Sequence, residues 1–202
     1  GILFWRSMTH WIGGMGIIVL AVAVLPLLGI GGIQLFSAEA PGPNNDKLHP
    51  RITDTAKRLW FIYVSFTILE AILLSFAGMS IFDAVNHAMS TMASGGFSTK
   101  NNSLAFWNHL PLVQYIIILF MFLAGSNFVL SYFALTGKIN KVIKDDEFKT
   151  FFSLVLFFSL TVFIIIYTSV NLNNMYFENS QIFGKLEGSI RHSLFQVLAI
   201  IT

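Results

Sequence analysis

The sequence predicts an all-α integral membrane protein built from span–pore loop–span units. Three observations predict it. Hydrophobic residues make up 55% of the 202-residue chain and charged residues 11%, with a mean hydropathy of +0.72. A soluble domain carries about 25% charged residues, so this chain lacks the polar surface to cover its apolar content in water. The apolar residues are collected into segments long enough to cross a bilayer, which takes about 20 helical residues. Between the long segments lie shorter, more polar ones. One of these leads into the stretch STMASGGFST, Ser90 to Thr99, which is too glycine-rich for a membrane helix and too uncharged for an ordinary surface loop.

The first span is expected from Ile2 to about Leu28, with Arg6 and His10 near its start. Its Gly13, Gly14 and Gly16 are small residues that let helices approach closely. The connection to about Arg58 carries Lys47, Arg51, Lys57 and Arg58, and Pro41 and Pro43 break any helix in it. The second span runs from about Leu59 to Gly78. The third runs from about Leu112 to Leu135, and the fourth from about Phe151 to Val170. Gly137 to Lys149 forms a second basic connection, with Lys138, Lys141, Lys144 and Lys149. Asp145, Asp146 and Glu147 stand near the start of the fourth span, where the helix dipole favours acids.

The short segments Ile81–Ala93 and Leu186–Ile201 contain Asp83, Asn86 and His87, and Arg191, His192 and Gln196. They fit re-entrant half-helices rather than spans. The connection from Thr99 to Pro111 has one lysine, Lys100, so the positive-inside rule puts it outside and the two basic connections in the cytoplasm. Both short segments must then dip in from the outer side and return.

The order is that of a repeat cut at both ends. Residues 1–28 end one unit and 29–58 form a cytoplasmic connection. Residues 59–136 form a complete unit, with pore helix 81–93 and loop 94–98. Residues 137–149 are the second connection, and 150–202 begin a further unit. Placing Asp83–His87 over His192–Gln196 sets Thr202 opposite Ala93. Both ends fall in apolar runs, so a piece of a longer polypeptide is expected.

Ser80 and Asp83 have the spacing of a helix cap. The helix they start aims its negative dipole end at Ser94-Gly95-Gly96-Phe97. Backbone carbonyls there, with serine and threonine hydroxyls, could replace a cation's hydration shell. The lack of acids in the turn favours a monovalent cation, since divalent ones usually take carboxylates. A plain re-entrant turn with structural glycines remains the alternative. In FLAGSNF, Phe122 to Phe128, the residues Gly125, Ser126 and Asn127 read either as pore-lining or gate residues, or as interhelical hydrogen-bonding groups.

Several function classes drop out. A formal charge of +2 does not argue for nucleic acid, and the absence of cysteine excludes disulfides and thiolate metal sites. His10, His87 and His192 lack a shared metal-ligand spacing. The sequence holds no nucleophile–base constellation or phosphate loop, so no enzyme is expected. A solute permease using a half-helix as its binding site, or a membrane assembly subunit without transport, are the competing readings.

The stretches FWRSMTHWIGGMGIIVLAVAVLPLLGIGGIQLFSAEAPGP, KLHPRITDTAKRLWFIY and FDAVNHAMSTMASGGFSTKN closely resemble the bacterial potassium-uptake subunits of the TrkH and KtrB family, in the Trk/Ktr/HKT superfamily. The resemblance covers essentially the whole chain. It implies four potassium-channel-like span–pore–span repeats in one polypeptide, each with a filter loop centred on one glycine. Trp5 to Leu28 then resembles the inner helix of repeat one, and Leu59 to Leu135 all of repeat two. Phe151 to Thr202 resembles the outer and pore helices of repeat three. The resemblance implies K+ as the transported ion, held by backbone carbonyls of Ser94, Gly95, Gly96 and Phe97, with Gly96 as the central glycine. It implies a multi-pass subunit of the bacterial inner membrane and a homodimer. A cytoplasmic nucleotide-binding regulatory ring of the TrkA or KtrA type would dock on connections such as 137–149, and no cofactor belongs to this chain. One filter loop of four does not enclose an ion, so residues 1–202 alone are not expected to conduct. The family's gating loop belongs to the inner helix of repeat three, and FLAGSNF is only its repeat-two counterpart.

Overall fold

A computed structural model describes residues 1–16, 49–126, 128–169 and 182–202, and the regular elements among them are all helical. Helix α1, Ile2–Trp11, runs into a π-helical turn, Ile12–Gly16, that kinks at Gly14, where ψ is −139°. Three glycines in five residues leave little side-chain packing to resist the kink. The rest of the expected first span, the turn around Pro41 and Pro43, Lys47 and Asn127 lie outside the described residues.

Helix α2, His49–Phe76, begins well before the expected Leu59. Arg51, Lys57 and Arg58 therefore sit on the helix and not on a loop. Pro50 does not prevent this, because a first-turn residue needs no amide partner. Helix α3, Ile81–Met92, ends one residue short of the expected pore helix and buries Asp83, Ala84, Asn86, His87, Ala88, Ser90 and Met92. A 3-10 turn, Ser103–Trp107, leads to α4, Pro111–Gly125, which starts on its proline.

The third span is not continuous. The chain leaves helical geometry at Ser126 (φ −83°, ψ 156°) and resumes as α5, Phe128–Leu135. The Ser126 hydroxyl donates to the Leu123 carbonyl at 2.8 Å, a local bond that competes with helix continuation. The connection expected at 137–149 contains a short helix, α6, Ile139–Lys144. Helix α7, Asp146–Ser169, starts earlier than the apolar run, with Asp146 and Glu147 in its first turn and the Asp145 carboxylate accepting from the Phe148 amide at 3.0 Å. Helix α8, Ile182–Ile201, is 20 residues long, a turn longer than the expected 186–201.

Among the described residues, 57–76 and 146–168 are helical stretches long and apolar enough to cross a membrane, whereas the break at Ser126 leaves Pro111–Gly125 shorter. Helix α3 sits at the centre, against α1, α2 and α4. Its Ala84 joins Leu74, Trp107, Val113, Ile117 and Leu198 in one core cluster, and Met92 joins Ile62, Tyr63 and Phe120 in another. By contrast α7 leaves Phe157, Leu160, Ile164 and Ile165 exposed. Such a face suits lipid or other membrane helices, not water. Glu70, an acid within the second span, is fully buried against the bundle, as intramembrane acids usually are.

Candidate functional site

The start of α3 is held by a reciprocal cap. The Ser80 hydroxyl accepts from the Asp83 amide at 3.1 Å and donates to the Asp83 carboxylate at 2.9 Å. The other Asp83 oxygen accepts from Thr99 at 2.6 Å, and Lys100 pairs with Asp83 at 3.2 Å. Burial pushes the Asp83 carboxyl up, but the hydrogen bonds from Thr99, Ser80 and Lys100, with the Lys100 charge, outweigh it and hold the group below its usual range. The Asp83 side chain thus orients the Ser80 cap and ties down the segment that leaves the turn.

At the other end of α3 the chain reverses through residues of left-handed conformation, Ser94 (φ 51°) and Gly96 (φ 70°). The Ser94 amide donates to the Thr91 carbonyl at 3.0 Å and the Gly95 amide to the Ser90 carbonyl at 2.7 Å. The Phe97 amide donates to the Ser90 hydroxyl at 3.0 Å. Among the described residues, the carbonyl oxygens of Ser94, Gly95, Gly96 and Phe97 accept no hydrogen bond. The turn therefore spends amides on its own helix and leaves a run of carbonyls available.

The two glycines answer different needs. A Cβ at Gly95 would stand 3.1 Å from both His10 Nδ1 and the Ser90 hydroxyl, so this position is closed by neighbours. A Cβ at Gly96 would meet nothing within 4 Å, but its positive φ disfavours any other residue.

Helix α1 walls the turn from the far side, which the sequence did not reveal. Arg6 donates to the Ser98 carbonyl at 2.6 Å, with its guanidinium 4.9 Å from the centre of the Phe97 ring. The His10 ring stacks on Phe97 at 4.9 Å. Trp11 Nε1 donates to Thr67 at 3.0 Å, and the Trp11 carbonyl accepts from Tyr63 at 3.0 Å, fixing α1 to α2. His87 Nδ1 donates to the Asp83 carbonyl at 2.7 Å, and Nε2 pairs with the Ser98 hydroxyl at 3.0 Å. His192 lies half-buried on α8.

The sequence-predicted residues thus fall into separate places. Ser80, Asp83, Ser94, Gly95, Gly96 and Phe97 belong to one helix–turn unit. Gly125 and Ser126 lie elsewhere, where α4 ends, and the nearest neighbours of Gly125 are Thr202 and Phe151.

Residues 1–202 match a family model described as TrkH, cation transport protein. The chain is 46% identical over 203 residues to the Trk system potassium uptake protein TrkH of Escherichia coli K12, which covers 100% of this chain and 40% of that protein. It is 41% identical to the Trk system potassium uptake protein TrkG of the same organism, over 99% of this chain and 39% of that one. The crystal structure of the potassium transporter TrkH from Vibrio parahaemolyticus matches with a TM-score of 0.71 and 35% identity, covering 98% of this chain and 37% of that chain. The chain therefore spans about 40% of the length of the curated TrkH relatives it matches. Matched by the family model along its whole length, the chain belongs to the TrkH family of cation transport proteins.

Proposed function

We propose that this chain is part of the membrane subunit of a bacterial potassium uptake system. In this reading Ser94, Gly95, Gly96 and Phe97 form one loop of a K+ filter assembled from several repeats. The observation that carries the reading is the run of carbonyls that accept no hydrogen bond among the described residues, beside amides tied to α3. Oxygen dipoles without acids suit a dehydrated monovalent cation. The C-terminal end of α3 adds its dipole. Potassium uptake is what the matched relatives are named for. In proteoliposomes holding the complete protein, radioactive Rb+ uptake is expected to be suppressed by K+ and far less by Na+. Equal suppression by both ions would overturn the reading.

Residues 59–136 serve here as one complete repeat, 1–28 as the end of the one before and 150–202 as the start of the one after. The subunit works as a homodimer in the inner membrane. Helix α6 and its flanks present Lys138, Lys141 and Lys144, all exposed, to the cytoplasm. They are the proposed seat of a cytoplasmic nucleotide-binding regulatory protein. Reversing all three to Glu in the complete protein is expected to weaken co-purification of that partner at least roughly tenfold at low salt, since each exposed charge adds only a modest increment. Undiminished co-purification would move the docking site elsewhere.

A further inference from the structure

Two glycines outside the 94–98 turn stand in the same relation to the end of a facing helix. Gly14 lies at the kink after α1, and a Cβ there would come to 3.2 Å from Ala93 Cα, Ala93 Cβ and the Tyr63 hydroxyl. Gly125 is the last residue of α4. A Cβ there would collide with Thr202 Cγ2 and stand 3.0 Å from Thr202 Cβ and 3.3 Å from Phe151 Cζ. Ala93 caps α3, and Thr202 follows the last residue of α8. The register that places Asp83–His87 over His192–Gln196 makes Ala93 and Thr202 counterparts, and these contacts played no part in setting that register. In both cases the glycine sits where its own helix loses regularity, through ψ −139° at Gly14 and ψ 156° at Ser126, just after Gly125.

The packing has a direct cause. The end of a short helix can approach another backbone this closely only where no Cβ intervenes, and close-packed interiors do not absorb an added methyl without displacement. The residue displaced at the first seat would be Ala93. It is followed at once by Ser94, whose amide, like that of Gly95, is tied to the last turn of α3. A shift of Ala93 is therefore passed to the carbonyl run with little slack.

We propose that Gly14 and Gly125 are positioning residues for ion selectivity: the broken helix of one repeat seats the pore-helix end of the next and so sets the position of the neighbouring filter turn. Gly14 does this for the 94–98 turn, and the contact of Gly125 with Thr202 is the same packing at the end of α8. The inference rests on the filter reading. It adds that each turn is positioned by the preceding repeat as well as by its own helix.

The test uses the complete protein in proteoliposomes, reading K+ against Na+ competition for Rb+ uptake beside thermal stability. Gly14→Ala is expected to lower the K+ preference about threefold, because it displaces the backbone at Ala93 beside the turn, and Gly125→Ala by a similar factor. Gly13→Ala is expected to change nothing, since no atom lies within 4 Å of a Cβ there. Adding Thr202→Ser to Gly125→Ala removes the colliding Cγ2 and is expected to restore most of the preference. Should Gly125→Ala alone fail to fold, Gly14→Ala and the Gly125→Ala/Thr202→Ser pair carry the comparison. Loss of stability with a wild-type K+ preference in both glycine variants would reduce the seats to ordinary packing and overturn the inference. So would an equal effect at Gly13. Gly96→Ser separates the two levels. A changed preference there with none at Gly14 or Gly125 overturns only the seats, while an unchanged preference at Gly96 removes the filter reading and this inference with it.

Discussion

Gly96→Ser in the complete protein is expected to cut the K+ over Na+ preference about five- to thirtyfold, because strain of about one to two kcal/mol is concentrated on a coordinating turn. The cause is conformational. A Cβ at Gly96 enters open space, yet φ is +70°, where an L-residue pays for its side chain. The turn relieves that strain by rotating the adjoining peptide units, and these carry the Gly95 and Gly96 carbonyls. Serine adds no bulk that meets a neighbour and no charge, so a change in selectivity reports backbone geometry. Gly95→Ala is a different experiment, since its methyl crowds His10 and Ser90. Selectivity read from Rb+ uptake in competing K+ and Na+ distinguishes altered coordination from a lower amount of folded protein.

Asp83→Ala is expected to destabilise the protein by about 2–4 kcal/mol, the summed scale of the lost charge-assisted hydrogen bonds at a mostly buried site. The substitution frees Thr99 and Lys100 and leaves the Ser80 hydroxyl without its partner carboxylate. Asp83→Asn keeps a hydrogen-bonding group but loses the charge, and is expected to fall between Ala and wild type. The sign with pH follows from the depressed carboxyl. A group held lower in the folded than in the unfolded state contributes stability above its unfolded value, about pH 3.9, and loses it as pH falls through the folded one. Thermal unfolding in detergent should therefore show the wild-type advantage over Asp83→Asn at neutral pH, fading on acidification below about pH 4.

The parts of the site that were legible in the sequence are local. Ser80 and Asp83 stand three residues apart at the start of an apolar-faced helix, and that spacing alone specifies the cap. Gly95 and Gly96 announce a turn, although the sequence does not reveal that one is required by neighbours and the other by its backbone angle. The positions of the second and fourth spans followed from hydropathy, but their ends did not. Helix α2 extends through a basic segment, and α7 begins on its acids, because polar residues are tolerated in a helix outside the apolar layer. Helix α8 likewise starts a turn before the expected Leu186, and it packs against α7 and α4.

What could not be read is long-range. Arg6 meets Ser98 across most of the first half of the chain, and His10 meets Phe97 likewise. A charged residue and an aromatic ring-former near the start of an apolar helix gave a signal without naming a partner. Ser90 was also missed, because a serine in a short helix is common, and its role as acceptor for Phe97 depends on how the turn folds back. The neighbour that crowds Gly125, Thr202, follows the end of α8, far along the chain.

The most direct measurement is anomalous diffraction from crystals of the complete protein grown or soaked with Rb+ or Tl+. An ion peak is expected at coordinating distance from the carbonyl oxygens of the Ser94–Phe97 turn, weakened when Na+ replaces K+ congeners. A peak coordinated elsewhere in the protein, with these carbonyls facing no ion, would contradict it.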